Sequence, residues 1–131
     1  MRVLIVDDSR LMRTMNERAL VKAGHTVFLA GDGERGLIAA RECNPDLIVL
    51  DMMLPKVAGI ELLHRLRKDD KTSSIPIIVL TSLSEANAST VIHEGATAYF
   101  EKSILNTEKG FLEFVSTIEQ FASRAPLTMF K

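Results

Sequence analysis

Three uninterrupted runs of apolar residues constrain the fold of this chain more than any other feature of its sequence. They occupy residues 3–6, 47–50 and 77–80 and consist of Val, Leu and Ile alone. Runs without polar alternation are typical of parallel strands that are covered on both faces. Two further strands are predicted at residues 26–30 and 97–100, so the sequence indicates a parallel sheet of five strands.

The segments between the strands have the periodicity of helices. The last of them carries six apolar residues at the spacing of one helix face. They are Phe111, Phe114, Val115, Ile118, Phe121 and Ala122. Asp32 is predicted to cap a helix that runs to about Cys43, and Gly24 and Gly95 stand where glycines end helices. Strands that alternate with helices predict a doubly wound α/β domain with helices on both faces of the sheet.

The length of 131 residues suits one domain. We predict that residues 1–124 form this domain and that residues 125–131 are a C-terminal tail or the start of a linker. The formal net charge of −1 argues against direct nucleic-acid binding, and the single cysteine excludes an internal disulfide framework. No apolar stretch approaches the roughly 20 residues that span a bilayer, and the N-terminus lacks the features of a secretory signal. We therefore expect a cytoplasmic protein with no membrane insertion.

Five polar residues follow the predicted strands at the points where the strands end. They are Asp7 and Asp8 after the first strand, Asp51 after the third, Thr81 after the fourth and Lys102 just past the fifth. In open parallel sheets, ligands bind outside the carboxyl ends of the strands, near the switch in strand order. If the strands are parallel neighbours, the five residues converge on one edge. A helix cap or a turn is the ordinary alternative role for each of them taken alone.

The chemistry of these five residues suits a phosphoryl group. Three neighbouring carboxylates raise each other's pKa unless a cation joins them. Mg²⁺, for which Mn²⁺ could substitute, combines a few carboxylates with waters and phosphate oxygens. The ammonium of Lys102 and the hydroxyl of Thr81 add groups that bind a transferring phosphoryl group. A carboxylate can be the nucleophile that forms an aspartyl-phosphate, and Asp51 is the best candidate because its position is central.

Four segments resemble signatures of the receiver domain of bacterial two-component response regulators, in the order expected of that family. They are VLIVDDS at the start, DMMLPKVAGIELL in the middle, PIIVLTS later and GATAYFEKS near the end. The resemblance covers nearly the whole chain. It implies a flavodoxin-like fold with five parallel strands in the order 2-1-3-4-5.

The resemblance also implies roles for the residues at the predicted edge. Asp51 matches the phosphoacceptor of the family. Asp8 and Asp51 match direct Mg²⁺ ligands, and the backbone carbonyl of Met53 matches a third ligand. Asp7 matches the acid that holds the metal through water, and Lys102 matches the lysine that binds a phosphoryl oxygen.

Two further residues match the family's switch. Thr81 matches the hydroxyl that is drawn toward the phosphate and binds it. Tyr99 matches the aromatic residue that swings inward when this hydroxyl moves, although an ordinary half-buried strand position is the alternative. Pro55 and Gly59 match the loop that shapes the rim of the pocket.

The chain departs from the family pattern next to the lysine and beside the phosphoacceptor. Ser103 stands where the family usually has a proline, often after a cis peptide bond, a geometry that costs about 3–4 kcal/mol before other residues. Met53 and Leu83 occupy positions that tune phosphoryl hydrolysis in the family. Because both are apolar, we expect them to prolong the phosphorylated state.

The function implied by the resemblance is a signalling switch, not an enzyme that turns over an outside substrate. A sensor histidine kinase or a histidine phosphotransfer protein would give its phosphoryl group to Asp51. The surface formed by the fourth helix, the fifth strand and the fifth helix would then change for a downstream protein partner or a second copy of the chain. A phosphorylation-independent interaction module with the same fold stays open as an alternative.

A glycine motif offers a more remote interpretation. Residues 31–36 read GDGERG, a literal G-x-G-x-x-G that follows a predicted strand and opens a helix. Its glycines, Gly31, Gly33 and Gly36, have the spacing of a dinucleotide-binding enzyme domain. The two acidic residues inside the motif would place negative charge beside a pyrophosphate, and a nucleotide site would leave the polar strand ends unexplained.

Overall fold

Strands and helices alternate along the whole chain. The structure is a computed structural model and describes residues 1–52, 54, 58–81 and 85–129, without the side chains of residues 85–88, 104, 106 and 122–129. The strands are β1 (Arg2–Val6), β2 (Thr26–Ala30), β3 (Leu47–Asp51), β4 (Ile77–Thr81) and β5 (Ala98–Glu101). The helices are α1 (Arg10–Lys22), α2 (Gly33–Glu42), α3 (Gly59–Lys68), α4 (Glu85–His93) and α5 (Glu108–Met129), with a 3₁₀ helix at Lys102–Asn106 between β5 and α5.

The five strands are parallel and lie in the order β2-β1-β3-β4-β5. This confirms the doubly wound, flavodoxin-like sheet that the sequence predicts. The fifth strand begins at Ala98, one residue later than predicted. The reason is that the N–H of Ile77 donates to the hydroxyl of Thr97 (3.1 Å).

Alternate residues of the central strands fill two core layers, one on each face of the sheet. On one face, Leu4, Ile48 and Val79 pack with buried residues of α2, α3 and α4. On the other face, Ile5 and Val49 pack with buried residues of α1 and α5. Both faces are therefore covered, which is why the strand sequences show no polar alternation.

The helix ends follow ordinary capping chemistry. Asp32 caps α2 as predicted, because its Oδ1 accepts the N–H of Arg35 (2.8 Å). Gly24 and Gly95 end α1 and α4 with φ angles of 97° and 122°, in the left-handed region that glycine adopts freely.

The last helix extends beyond the predicted end of the domain. α5 continues to Met129, so its backbone passes through the boundary placed after residue 124, which stays a prediction. Among the described residues, no helix combines the length and the apolar character needed to cross a membrane.

Candidate functional site

The carboxyl ends of β1, β3, β4 and β5 meet at one edge of the sheet. Carboxylate oxygens of Asp7, Asp8 and Asp51 all lie within 4.8 Å of one another. The Nζ of Lys102 lies 2.8 Å from Oδ2 of Asp51 and 3.6 Å from Oδ1 of Asp7. Thr81 ends β4, beside the end of β3. The structure therefore brings the five predicted residues to the same edge.

Burial separates these residues into an inner group and an outer group. Asp7, Asp51 and Thr81 are at most 1% exposed, whereas Asp8 is exposed. Lys102 lies between these extremes, with 27% of its side chain exposed. A buried carboxylate needs a cation or hydrogen bonds in place of water. Lys102 supplies a cation from the protein side, and the site stays open to a ligand on the side of Asp8.

Asp7 is held by three hydrogen bonds at the end of β1. Its N–H donates to the carbonyl of Ala30 (3.1 Å), and its Oδ1 accepts the N–H of Ser9 (2.8 Å). Its carbonyl accepts Nη1 of Arg13 (2.6 Å). The other carboxylate oxygen, Oδ2, is buried and has no hydrogen-bond partner in the part of the chain that the structure describes. A buried carboxylate oxygen without a hydrogen-bond partner is usually satisfied by a bound water or ion.

The pKa of Asp7 is raised to about 6. Burial is the largest cause, and the charge of Asp51 acts in the same direction, whereas the hydrogen bond from the N–H of Ser9 and the charge of Lys102 lower the pKa. Burial lowers the pKa of Lys102, but its hydrogen bond to Asp51 and the charges of the three aspartates raise it more. Among the described residues, the ammonium of Lys102 thus lies close to two of the three carboxylates, and the cluster of aspartates carries more negative charge than this one cation offsets.

A divalent cation fits this arrangement. Asp7, Asp8 and Asp51 offer oxygen ligands, which hard cations such as Mg²⁺ and Mn²⁺ prefer. The unpartnered Oδ2 of Asp7 and the excess negative charge are both relieved by a positive ion or by its bound water. The residues present could therefore hold a metal ion.

Thr81 and Tyr99 lie on one face of the sheet. In the pairing of β4 with β5, Val79 is opposite Tyr99 and Thr81 is opposite Glu101. Opposite residues of neighbouring strands share a face, and every second residue of a strand returns to it. Thr81 and Tyr99 are therefore diagonal neighbours, one buried at the edge of the sheet and the other 39% exposed.

Gly59 begins α3 against the chain that follows Asp51. A Cβ at Gly59 would lie 2.5 Å from the Cα of Met52, so only glycine lets the helix start this close. This contact agrees with the predicted position of Gly59 at the rim of the site. Three other predicted residues, Met53, Pro55 and Leu83, lie outside the described residues, and their roles stay predictions.

The residue after the lysine is joined by a trans peptide bond. No cis peptide bond occurs in the described part of the chain, which includes Lys102 and Ser103. Lys102 therefore reaches Asp51 from a trans backbone.

The glycine motif has a packing explanation. A Cβ at Gly36 would lie 2.8 Å from Cγ1 of Val6, so this glycine lets α2 approach β1. A Cβ at Gly31 would lie 3.0 Å from Nη1 of Arg13. The motif follows β2, which is the edge strand of the sheet. The contacts of these two glycines thus require no nucleotide.

Ser9 and Arg13 contact Asp7 but were not among the predicted site residues. Ser9 also caps α1, since its Oγ accepts the N–H of Met12 (3.3 Å), and a serine before a helix is a signal that sequence reasoning could have used. Arg13 gives no such signal, because an arginine on an amphipathic helix is ordinarily solvated.

Comparison with known sequences places these features in a family. The family model described as the response regulator receiver domain matches residues 3–110. The DNA-binding dual master transcriptional regulator RpaA of Synechocystis is 43% identical over 84 residues, which are 64% of this chain and 35% of that protein. The chain thus spans about a third of the length of this curated relative.

Solved structures agree with the sequence match. A putative response regulator from Chloroflexus aurantiacus has a TM-score of 0.81 at 29% identity, over 93% of this chain and 97% of that chain. The Mn²⁺-bound form of the response regulator Rcp1 has a TM-score of 0.75 at 26% identity, over 92% of each chain. On its sequence, its strand order and its acidic edge, this chain belongs to the family of response regulator receiver domains.

Proposed function

We propose that Asp51 is the phosphoacceptor of a signalling switch, in keeping with the general function of the receiver family. The proposal rests on the groups that surround the carboxylate of Asp51 at the end of β3. Its carboxylate is 1% exposed, lies 2.8 Å from the ammonium of Lys102 and is within 4.8 Å of two further carboxylates. A nucleophile, a cation and candidate metal ligands thus share one small site.

Mg²⁺ is the metal that we assign to Asp7, Asp8 and Asp51. The fit of the oxygen donors and the Mn²⁺-bound form of the related regulator Rcp1 support this assignment. When bound, the ion supplies positive charge that offsets the carboxylates and the phosphoryl oxygens.

The chain's own residues position and accept the phosphoryl group. A carboxylate oxygen of Asp51 attacks the phosphorus of a donor such as phosphohistidine, the P–O bond forms, and the P–N bond breaks with its electron pair moving to the histidine nitrogen. Lys102 already contacts Asp51, and its ammonium can pair with a transferred oxygen. The hydroxyl of Thr81 donates to another oxygen.

The output of the switch is a change of surface. Thr81 moving toward the phosphoryl group leaves space on its face of the sheet, into which the ring of Tyr99 can turn. The surface of α4, β5 and α5 then differs between the two states, and a partner that binds one state better shifts the population toward it. We propose a sensor histidine kinase or a phosphotransfer protein as donor, and a protein partner or a second copy of the chain as reader.

The experiment is exposure of the metal-free protein to acetyl phosphate with and without Mg²⁺, followed by intact-mass measurement. We expect the mass of one phosphate to be added only with Mg²⁺ and to be absent in Asp51→Asn. Asp70→Asn, which changes an exposed aspartate outside the site, is the matched control and should be modified like the unchanged protein.

Two outcomes would contradict the proposal. Equal phosphorylation of Asp51→Asn would place the phosphate elsewhere. No phosphorylation of the unchanged protein with Mg²⁺ would favour the interaction module that works without phosphorylation.

A further inference from the structure

We propose that Arg13 is a positioning residue for the metal ligands, acting through the backbone of the segment that carries Asp7 and Asp8. This inference rests on the proposed function, because it concerns the same site. It assigns a role to a residue whose guanidinium donates to the backbone of Asp7.

Arg13 holds both ends of the segment from residue 7 to residue 9. Its Nη1 donates to the carbonyl of Asp7 (2.6 Å), and its own N–H donates to the carbonyl of Ser9 (3.0 Å). Asp8 lies between these two anchored residues. The bond to Asp7 is the one that depends on the arginine side chain, since the bond to Ser9 is the first backbone bond of α1. Half-buried Arg13 thus ties α1 to the loop after β1 that carries both metal-ligand candidates.

Gly31 leaves the space in which Arg13 lies. A Cβ at Gly31 would be 3.0 Å from Nη1 of Arg13, closer than side chains ordinarily pack, and 3.6 Å from Cζ, an ordinary contact. Gly31 directly follows Ala30, whose carbonyl accepts the N–H of Asp7. The guanidinium therefore lies across the ends of β1 and β2, and the first glycine of the G-x-G-x-x-G motif gains a role at the acidic edge.

The backbone of Asp7 matters because one of its carboxylate oxygens has no partner of its own. Oδ1 is tied to the N–H of Ser9, so the direction of the unpartnered Oδ2 follows from the loop geometry. Residues that orient metal ligands from behind commonly change metal affinity.

The test is a calorimetric titration of the metal-free protein with Mg²⁺, together with thermal unfolding without metal. We expect Arg13→Ala to weaken Mg²⁺ binding by about tenfold, and Arg13→Lys to recover part of the loss because an ammonium can still donate to the carbonyl of Asp7. Arg18→Ala is the control, since it removes the same charge from an exposed position of α1 and should bind Mg²⁺ like the unchanged protein.

A second variant tests the space at Gly31. Gly31→Ala should displace the guanidinium and weaken Mg²⁺ binding by less than Arg13→Ala does. The same substitution should have no effect on Mg²⁺ binding when combined with Arg13→Ala, because the group that it displaces is gone. An equal loss from Gly31→Ala in both backgrounds would overturn the link between the two residues.

The outcomes separate this inference from the proposed function. Mg²⁺ binding by the unchanged protein with an unaltered affinity in Arg13→Ala would overturn the inference alone, as would a lower unfolding temperature with unaltered affinity. No Mg²⁺ binding by the unchanged protein would overturn the metal assignment and the role of Arg13 with it.

Discussion

Asp7 is fully buried beside Asp51. Its raised pKa reflects the free energy that is needed to bury its charged carboxylate there. In the unfolded chain the pKa of an aspartate is 3.8, and in the folded protein that of Asp7 is about 6. Between these values the folded state binds a proton that the unfolded state releases, so stability falls as the pH rises. The proton bound to Asp7 therefore makes its full contribution to the free energy of unfolding below pH 3.8, and this contribution is lost above about pH 6.

We expect Asp7→Asn to raise the free energy of unfolding of the metal-free protein at about pH 7.5 by on the order of 3 kcal/mol. The amide keeps an acceptor for the N–H of Ser9 and carries no charge beside Asp51. The gain should shrink toward zero near pH 4, where Asp7 itself is neutral. Urea unfolding across this pH range measures both values, with the substitution of an exposed aspartate outside the site, Asp70→Asn, as the control.

Mg²⁺ provides the counter-test of the same prediction. The ion should stabilise the unchanged protein at neutral pH, because it binds the folded state and its positive charge offsets the buried carboxylate of Asp7, which has lost its proton above about pH 6. The stabilisation should be smaller in Asp7→Asn. If Asp7→Asn raised the free energy of unfolding by the same amount at every pH, burial of the charge of Asp7 would not be the cause of the gain.

The residues of the acidic edge could be predicted because two regular features locate them. Strand-forming runs fix where Asp51 and Thr81 fall, and the parallel order brings strand ends together. The contact of Arg13 with Asp7 could not be predicted, since it depends on how α1 packs on the sheet and on the missing side chain of Gly31. The residues near Arg13 in the sequence do not indicate that its side chain contacts the backbone of Asp7.

At the scale of elements, the strands were predicted within one residue, but the start of α3 was not. Its N-cap, Ala58, offers no side-chain hydrogen bond, so the usual sequence signal is absent. The helix starts there because Gly59 can approach Met52, a long-range packing effect that local pattern does not encode. The position of this start matters because Met52 directly follows Asp51.

Adjacent substitutions at the start of α3 should have opposite effects. Gly59→Ala should lower the free energy of unfolding by about 2 kcal/mol, because the new Cβ meets the backbone of Met52. Ala58→Ser should raise it by about 1 kcal/mol, because Ala58 is exposed and has the extended conformation (φ −60°, ψ 147°) of a capping residue. Denaturant unfolding of both variants tests the pair. If Gly59→Ala left the free energy of unfolding unchanged, the backbone after Asp51 would be able to move away from the new Cβ at little cost, and the prediction would be wrong.

At the scale of the whole molecule, the parallel sheet connects the acidic edge to a surface that carries none of its carboxylates. Thr81 belongs to the buried edge, while Tyr99, its diagonal neighbour on β5, is partly exposed. α4 packs against β5 on the same side of the molecule. We propose that a change at Thr81 reaches the outer surface along this path, through the pairing of β4 with β5 and the ring of Tyr99.

This route predicts that Thr81→Ala separates ligand binding from the surface change. Beryllofluoride with Mg²⁺ mimics a phosphorylated aspartate, and in the unchanged protein it should alter amide hydrogen exchange in α4 and β5. Thr81→Ala keeps Asp51 and Lys102 and should still bind beryllofluoride, but the exchange of α4 and β5 should stay close to that of the free protein. Thr117→Ala, a partly exposed threonine of α5 whose hydroxyl donates to the carbonyl of Glu113 in the same helix (2.9 Å), is the matched control.

The exchange of β2 provides an internal reference, because this edge strand lies on the far side of β1 from β4 and β5. Protection that rises equally in β2, α4 and β5 would indicate general stabilisation by the ligand. Protection that changes in α4 and β5 alone, and only while the hydroxyl of Thr81 is present, is the pattern of a two-state element biased from the site. An unchanged response in Thr81→Ala would remove Thr81 from the path between Asp51 and Tyr99.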